Sequence, residues 1–388
     1  MREVVILGVG MHPFGRFPDK SLGELAGDAG RKALGDAGLL PREIQAAFFA
    51  NAYGGLLTGQ ESIRGEIVLR EVGIAGIPII NVENACASGS TAFHLAVLAV
   101  ASGYCDVALA LGAEKMFIGD TGRTLQALAT SADLEVTGDM GLQFTAIYAM
   151  RLQRRLTDGS LTLRHLADVA VKSHHNGSLN PYAQFRKEVT SDEVLSSRPI
   201  AGPLTLLMCS AISDGAAGAV VCAAEFASRR GAKPLVRVLA SQLRSARFPR
   251  LENDERSTAA SVVWAAYEQA GVGPDDIDLV ECHDATAPGE LIYYEDLGFC
   301  SLGEAGRLLD EGVTALGGRL PVNPSGGLTS RGHPVGATGL AQIAEATWQL
   351  RRQAGPRQVE HVSVALTQNS GGWIEGDSAA SAAHILAI

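Results

Sequence analysis

Three short segments carry residue types that do covalent chemistry together. Cys86 stands in NVENACASGSTAFHLAVLAV, between a strand-like apolar run and an Ala-rich helical run. A thiol at such a helix start meets unpaired N–H groups and the positive end of the dipole, and both favour the reactive thiolate. Ala85, Ala87, Ser88 and Gly89 leave room for a substrate at the backbone, where the N–H near Cys86 can donate to an oxyanion. A nucleophilic cysteine needs a base within hydrogen-bond reach, and histidine is the usual one. His283, beside Asp284, follows the apolar run IDLVEC, and His333 sits in VNPSGGLTSRGHPVGATGL before another helical run. The strand-type run VALTQNSGGW closes on Asn369, Ser370, Gly371 and Gly372, whose paired glycines admit close backbone approach and expose N–H donors. Each piece has a plainer alternative: a buried structural cysteine, loop histidines, an ordinary turn. That alternative is the reading for Cys105 and Cys222, inside apolar strand runs.

The elements that must position these residues occur twice. Residues 33–51 read ALGDAGLLPREIQAAFFAN and residues 266–284 read AYEQAGVGPDDIDLVECHD, at a constant offset of 233. Ala37-Gly38 matches Ala270-Gly271, Pro41 matches Pro274, and Ile44 matches Ile277. Each copy predicts an amphipathic helix ended by Gly, a short Pro turn and a strand, closing on Asn51 and on Asp284. A strand, a small-residue turn at Asn84–Ser90, a helix and the strand CDVALALG follow the first copy. PVNPSGG, RGHPVGATG, a helix through Ile343 and Leu350, and HVSVALTQN follow the second. The pattern predicts an α/β protein of two similar halves, 1–240 and 241–388, about a pseudo-two-fold axis. Residues from about 114 to 207 break the alternation and read as a large insertion between strands of the first half, a place where binding functions collect.

Composition narrows the rest. The 388 residues are 46% hydrophobic and 19% charged, enough for a large core, and the net charge of −10 argues against general nucleic-acid or anionic-membrane binding. No charge-free apolar stretch of about 20 residues appears, and the start MREVVILGVG reads as a strand and turn rather than a secretory signal. The six cysteines form no Cys-x-x-Cys pair, so no structural zinc site, metal or disulfide framework is expected, and a reducing cytoplasm is the expected location. Arg244, Arg247 and Arg250 are candidates for binding the phosphates of coenzyme A, against the default of solvated loop arginines.

Together the segments resemble the thiolase superfamily, within it the branch of the sterol-carrier-protein-type thiolases. The resemblance rests on NACASGSTA at 84–92, ALGAEKM at 110–116, MCSAISDGAA at 208–217, His283-Asp284, NPSGGL at 323–328 and GHPVGATG at 332–339. It implies a duplicated α-β-α-β-α five-layer core with an inserted loop domain, and dimers or tetramers. It implies that Cys86 becomes acylated, that His333 activates it, and that His283 lies by an oxyanion site. It further implies a second oxyanion hole from the N–H of Cys86 and the Gly371–Gly372 turn, supported by Asn369 and Asp284. No permanently bound cofactor is implied; coenzyme A is substrate or product.

The sequence departs from the family in one respect. Thiolases carry a second cysteine that moves the proton on and off the nucleophilic carbon, in a C-terminal Cys-x-Gly turn or a His-Asp-Cys-Phe motif. Here those places read Gln368-Asn369-Ser370-Gly371-Gly372 and His283-Asp284-Ala285-Thr286. Cys282 is adjacent, but strand alternation points it to the opposite face. His283 is the substitute candidate for that proton. The expected activity is acyl-CoA C-acyltransfer through acyl-Cys86, with an acyl group from lipid or aromatic-acid metabolism left unnamed. The alternative is a retro-aldol lyase on a 3-hydroxyacyl-CoA, working with a small zinc-ribbon and OB-fold partner, in which Tyr293 and Tyr294 are acid–base candidates against a packing role. A non-catalytic acyl-CoA-binding subunit ranks last.

Overall fold

The computed structural model describes residues 2–138, 140–141, 143–231, 235–247 and 256–388. Strand β1 (Val4–Gly15) leads to helix α1 (Leu22–Ala37), β2 (Ala46–Ala50), β3 (Ile79–Val82), α2 (Ser88–Ala101) and β4 (Val107–Glu114). A long excursion containing α3 (Phe144–Thr157) and α4 (Leu163–Ser178) returns to β5 (Asp214–Ala223). There follow β6 (Val236–Ser245), α5 (Thr258–Ala270), β7 (Leu279–Glu281), α6 (Gly289–Asp296), α7 (Thr338–Leu350), β8 (Val364–Gly371) and β9 (Ala380–Ala387).

The two copies of the repeat fold alike for local reasons. Ser21 and Glu24 form a reciprocal capping box on α1, and Ser257 accepts from the Ala260 N–H at the start of α5. Gly38 and Gly271 end the two helices at φ +63° and +70°, left-handed values that a residue with a Cβ resists. Pro41 and Pro274 each open a single tight turn, and Ile44 and Ile277 drop into the core behind them.

Sheet topology repeats as well. The strands bond in the order β3-β2-β4-β5-β1-β6-β9-β8-β7. In the first half β2 runs parallel to β3 and β4, while β5 is antiparallel to β4 and β1. In the second half β7 runs parallel to β8 and bridges in parallel to Val322, while β9 is antiparallel to β8 and β6. A short antiparallel junction, Val5 to Arg237 and Ile6 to Val236, joins the halves.

Burial divides the molecule into layers. Val107, Leu109 and Leu111 of β4 face α1, whereas Ala108 and Ala110 face inward to α2 and α7. Strands buried on both faces read as continuous apolar runs, and these do. Across α2 and α7 lie Leu279, Ala365 and Leu386 of the second sheet, whose outer face packs Val280, Leu366 and Ile385 on α5. The result is helix, sheet, paired helices, sheet, helix: five layers. Small residues let the central helices meet. A Cβ on Gly89 would lie 2.9 Å from the Gly336 oxygen, and one on Gly339 would lie 2.5 Å from the Ser90 nitrogen. The N-termini of α2 and α7 therefore touch at glycine.

Candidate active site

Meeting helix starts bring Cys86 and His333 together across the two halves. Asn84 to Ala87 form one tight turn before α2, held by the Asn84 N–H and the Ala85 oxygen on Ser88 Oγ, at 2.9 and 2.6 Å. Ala85 takes φ +47°, rare for a residue with a Cβ and a strain of about 1–3 kcal/mol. That kink presents the next residue, Cys86, whose sulfur lies 3.3 Å from His333 Nε2. His333 Nδ1 lies 2.7 Å from Thr338 Oγ1, and Thr338 donates its own hydroxyl to the Pro334 oxygen at 3.0 Å. Thr338 can then only accept from the ring. Nδ1 carries the proton, and Nε2 turns its lone pair to the thiol.

The loop that carries His333 is held by the excursion between β4 and β5. From α4 and the residues after it, Lys172 donates to the Val322 oxygen at 2.6 Å, Asn176 to Asn323 at 3.0 Å and Asn180 to Ser325 at 2.8 Å. The Gln184 and Phe185 N–H groups reach the oxygens of Arg331 and Ser330, both at 3.0 Å. Ser213 Oγ accepts from the His333 N–H at 3.0 Å. Asp284 takes the Leu328 N–H at 2.8 Å from below, so it anchors this loop and its burial pushes its carboxyl well above the usual range.

His283 stands beside His333 with ring centres 5.3 Å apart and both of its ring nitrogens unpartnered and buried. Burial lowers its pKa to about 3, and burial, then the neighbouring His283 and Arg331, lower that of His333 well below the usual range, so both rings are neutral. Gly372, at φ +65°, points its N–H at the Cys86 sulfur, and a Cβ on Gly371 would lie 2.5 Å from the Ala87 nitrogen. Tyr53, Leu57, Met116 and Val335 form an apolar wall against Cys86.

One expectation changes here. The helix start does not make Cys86 a resting thiolate: burial first, then the charges of Glu114 and Glu83, push its pKa up to about 12 against the pull of its own N–H and that of Gly372. Asn369 shares the face of Gly371; its amide nitrogen donates to Gln342 at 3.2 Å and its Oδ1 is buried without a partner. Cys282 points outward as alternation requires, 3.5 Å from Asn323 Nδ2. Tyr294 joins Glu290 and Thr314 in the outer core, whereas Tyr293 bonds Ser370 and Tyr148. Arg244 and Arg247 line a small cleft with Arg256, Ser261 and Asp377; Arg250 lies outside the described residues. Ser245 pairs with Ala380 and Ala380 with Gly371, so that cleft is two strands, about 10 Å, from the turn at Cys86.

Glu114, Thr338 and Arg256 escaped the sequence reading. Glu114 is fully buried at the end of β4 and accepts from Asn51 Nδ2 at 2.8 Å and from the N–H groups of Ala52, Tyr53 and Gly336 at 2.9, 3.1 and 3.0 Å. It ties the first sheet to the His333 loop. Its place in ALGAEKM was the available signal.

Two family models match the chain, one toward each end. The thiolase N-terminal domain family matches residues 4–225, and the thiolase C-terminal domain-like family matches residues 248–386. The chain belongs to the thiolase superfamily. An acetyl-CoA acetyltransferase of Methanothermobacter thermautotrophicus is 41% identical over 96% of this chain and 97% of its own. The benzoylsuccinyl-CoA thiolase subunit BbsB of Thauera aromatica is 40% identical over 96% of this chain and 95% of its own. A solved Ltp2-ChsH2(DUF35) aldolase superposes with a TM-score of 0.82 at 25% identity, over 99% of this chain and 97% of that one. This superfamily member is a thiolase-type acyltransferase acting on acyl-CoA. Among the described residues, no helix is long and apolar enough to cross a membrane.

Proposed function

We propose that this enzyme cleaves or forms 3-ketoacyl-CoA through an acyl-Cys86 intermediate. The observation that carries the reading is the neutral His333 Nε2 at 3.3 Å from the thiol, with its tautomer set by Thr338. In the cleavage direction His333 takes the thiol proton as sulfur attacks the keto carbon. The C–C bond breaks, and the acyl-CoA enolate leaves. A ring held near pKa 3 has no spare proton at neutral pH, so His283 donates an N–H hydrogen bond to the thioester oxygen. The proton that His333 took returns to the enolate carbon, the task given elsewhere to the second cysteine. Coenzyme A then attacks acyl-Cys86, its thiol proton going to His333, while the N–H groups of Cys86 and Gly372 hold the oxyanion.

The chain works in the cytoplasm, and its core is a homodimer, supported by the open edge strand β3 with its exposed Ile80. Arg244, Arg247 and Arg256 hold the phosphates of coenzyme A. The loop domain is the excursion between β4 and β5, and the halves divide before Val236, since β6 runs across residue 240.

A second reading, retro-aldol cleavage of a 3-hydroxyacyl-CoA with a zinc-ribbon and OB-fold partner, draws support from the aldolase superposition and from Tyr293, which bonds Tyr148. Intact mass spectrometry after mixing with acyl-CoA and 3-ketoacyl-CoA thioesters separates the two. An acyl increment on the wild type that Cys86→Ala lacks is the expected result. No increment, with and without candidate partners, would overturn acyl transfer in favour of the lyase.

A further inference from the structure

Cys86, His283 and His333 are 197 and 50 residues apart in sequence, yet their ligand atoms all lie within 4.8 Å of one another. Among the described residues no other group of three such side chains converges in this way. One thiol and two imidazoles form a soft donor set of one sulfur and two nitrogens, the kind that zinc and its relatives prefer over hard cations. Tetrahedral bonds of about 2.3 Å to sulfur and about 2.0–2.1 Å to nitrogen put ligand atoms roughly 3.3–3.6 Å apart. The Cys86–His333 edge is already 3.3 Å, and the widest edge must close by about 1 Å, within reach of side-chain rotation.

Two further features point to a ligand here. Both His283 nitrogens are buried with no hydrogen-bond partner, a costly state that a bond at either nitrogen relieves. His333 Nδ1 is tied to Thr338 Oγ1 at 2.7 Å, the outer hydrogen bond that orients a histidine ligand through its other nitrogen. The nearby Glu114 carboxylate offsets the positive charge that a divalent ion leaves after pairing with one thiolate. Cys86 is half-buried rather than sealed.

We propose that the resting enzyme binds a thiophilic divalent cation of the zinc type at Cys86, His283 and His333, as a reversible block on the nucleophile. Binding breaks the S–H bond, forms an S–metal bond and releases the proton to solvent. The acylation step needs the same sulfur lone pair and the same Nε2, so metal and acyl group exclude each other.

Cobalt(II) is the probe, because a thiolate ligand gives it a near-ultraviolet charge-transfer band. Titration of the full chain should raise that band, and zinc should remove it. Cys86→Ser should abolish it. Thr338→Val should keep it while raising the cobalt needed by about 10- to 100-fold, and His283→Ala, which removes a direct ligand, should raise it further. No band on wild type, or a band that survives in Cys86→Ser, overturns the inference. The acyl-labelling experiment fails or succeeds separately: labelled Cys86 without a cobalt band sinks only the metal site, and a band without labelling sinks only acyl transfer.

Discussion

Cys86 is pulled in opposite directions by its surroundings. Two N–H groups and a helix start favour the thiolate, while burial and the carboxylates of Glu114 and Glu83 oppose it and prevail. With a pKa pushed up to about 12, the free enzyme at pH 8 holds on the order of a thousandfold fewer thiolates than an ordinary cysteine does. Iodoacetamide should therefore alkylate Cys86 slowly at pH 8, with a rate still climbing above pH 10. Thioesters should acylate it readily at pH 7.5, because His333 removes the proton in the same step. His333→Ala should cost acylation on the order of 10²- to 10⁴-fold and leave alkylation at high pH little changed. An alkylation midpoint near pH 7 would show a resting thiolate and defeat this account. The nucleophile and both histidines were legible because a Cys in a small-residue turn and a His in a glycine-rich loop are unusual local choices. Glu114 and Thr338 were not. Their roles exist only once the end of β4 meets Gly336 and once the tight turn at Val335–Ala337, before α7, brings residue 338 to residue 333.

At the scale of elements, glycine contacts set the distance between nucleophile and base. A Cβ on Gly371 would lie 2.5 Å from the Ala87 nitrogen and 3.0 Å from the Ala87 Cβ, so Gly371→Ala must push the β8 turn off the Cys86 loop. The expected cost is about 1–3 kcal/mol of stability from overpacking, with a larger fractional loss of acylation than of folded protein. Gly317→Ala meets nothing within 4 Å and should stay within about 0.5 kcal/mol of wild type. Urea unfolding and acyl labelling of both variants decide the matter; equal effects would mean that the Gly371 contact does not set the distance between nucleophile and base. A different lock holds the far end of α7, where Arg357 forks onto Glu345 at 2.8–3.0 Å with both side chains at 4% exposure or less. Arg357→Ala leaves a buried carboxylate unpaired and should cost about 3–5 kcal/mol, read by the same unfolding curves. Neither lock could be read from the sequence. The repeat announced α1, β2, α5 and β7 through local caps and turns, but Gly371's neighbour Ala87, 284 residues away, leaves no local mark.

For the whole molecule, two kinds of buried titratable group pull stability against pH in opposite directions. Burial lowers the pKa of His384 and of His283 to about 3, so each must stay neutral in the fold while the unfolded chain binds a proton near pH 6.5. Their contribution is complete above that value and is lost as pH falls toward 3. Glu114 and Glu281 are raised by burial to about 7, and their contribution is present below pH 4.5 and lost as pH rises through 7. Between pH 4.5 and 6.5 the two sets compete, so the overall curve alone assigns nothing. His384 can be separated because it lies outside the site. It sits between the central helices and the second sheet, 2.9 Å from Ser241 Oγ and edge-on to Phe93. Lowering the pH from 7.5 to 5.5 should cost the wild type about 1.4 kcal/mol more than it costs His384→Gln, since one group is displaced from its unfolded value across one pH unit. Urea unfolding of both proteins at the two pH values measures the difference directly. Parallel slopes would mean that His384 takes up its proton in the folded protein, and that the central layer is wetter than its packing implies.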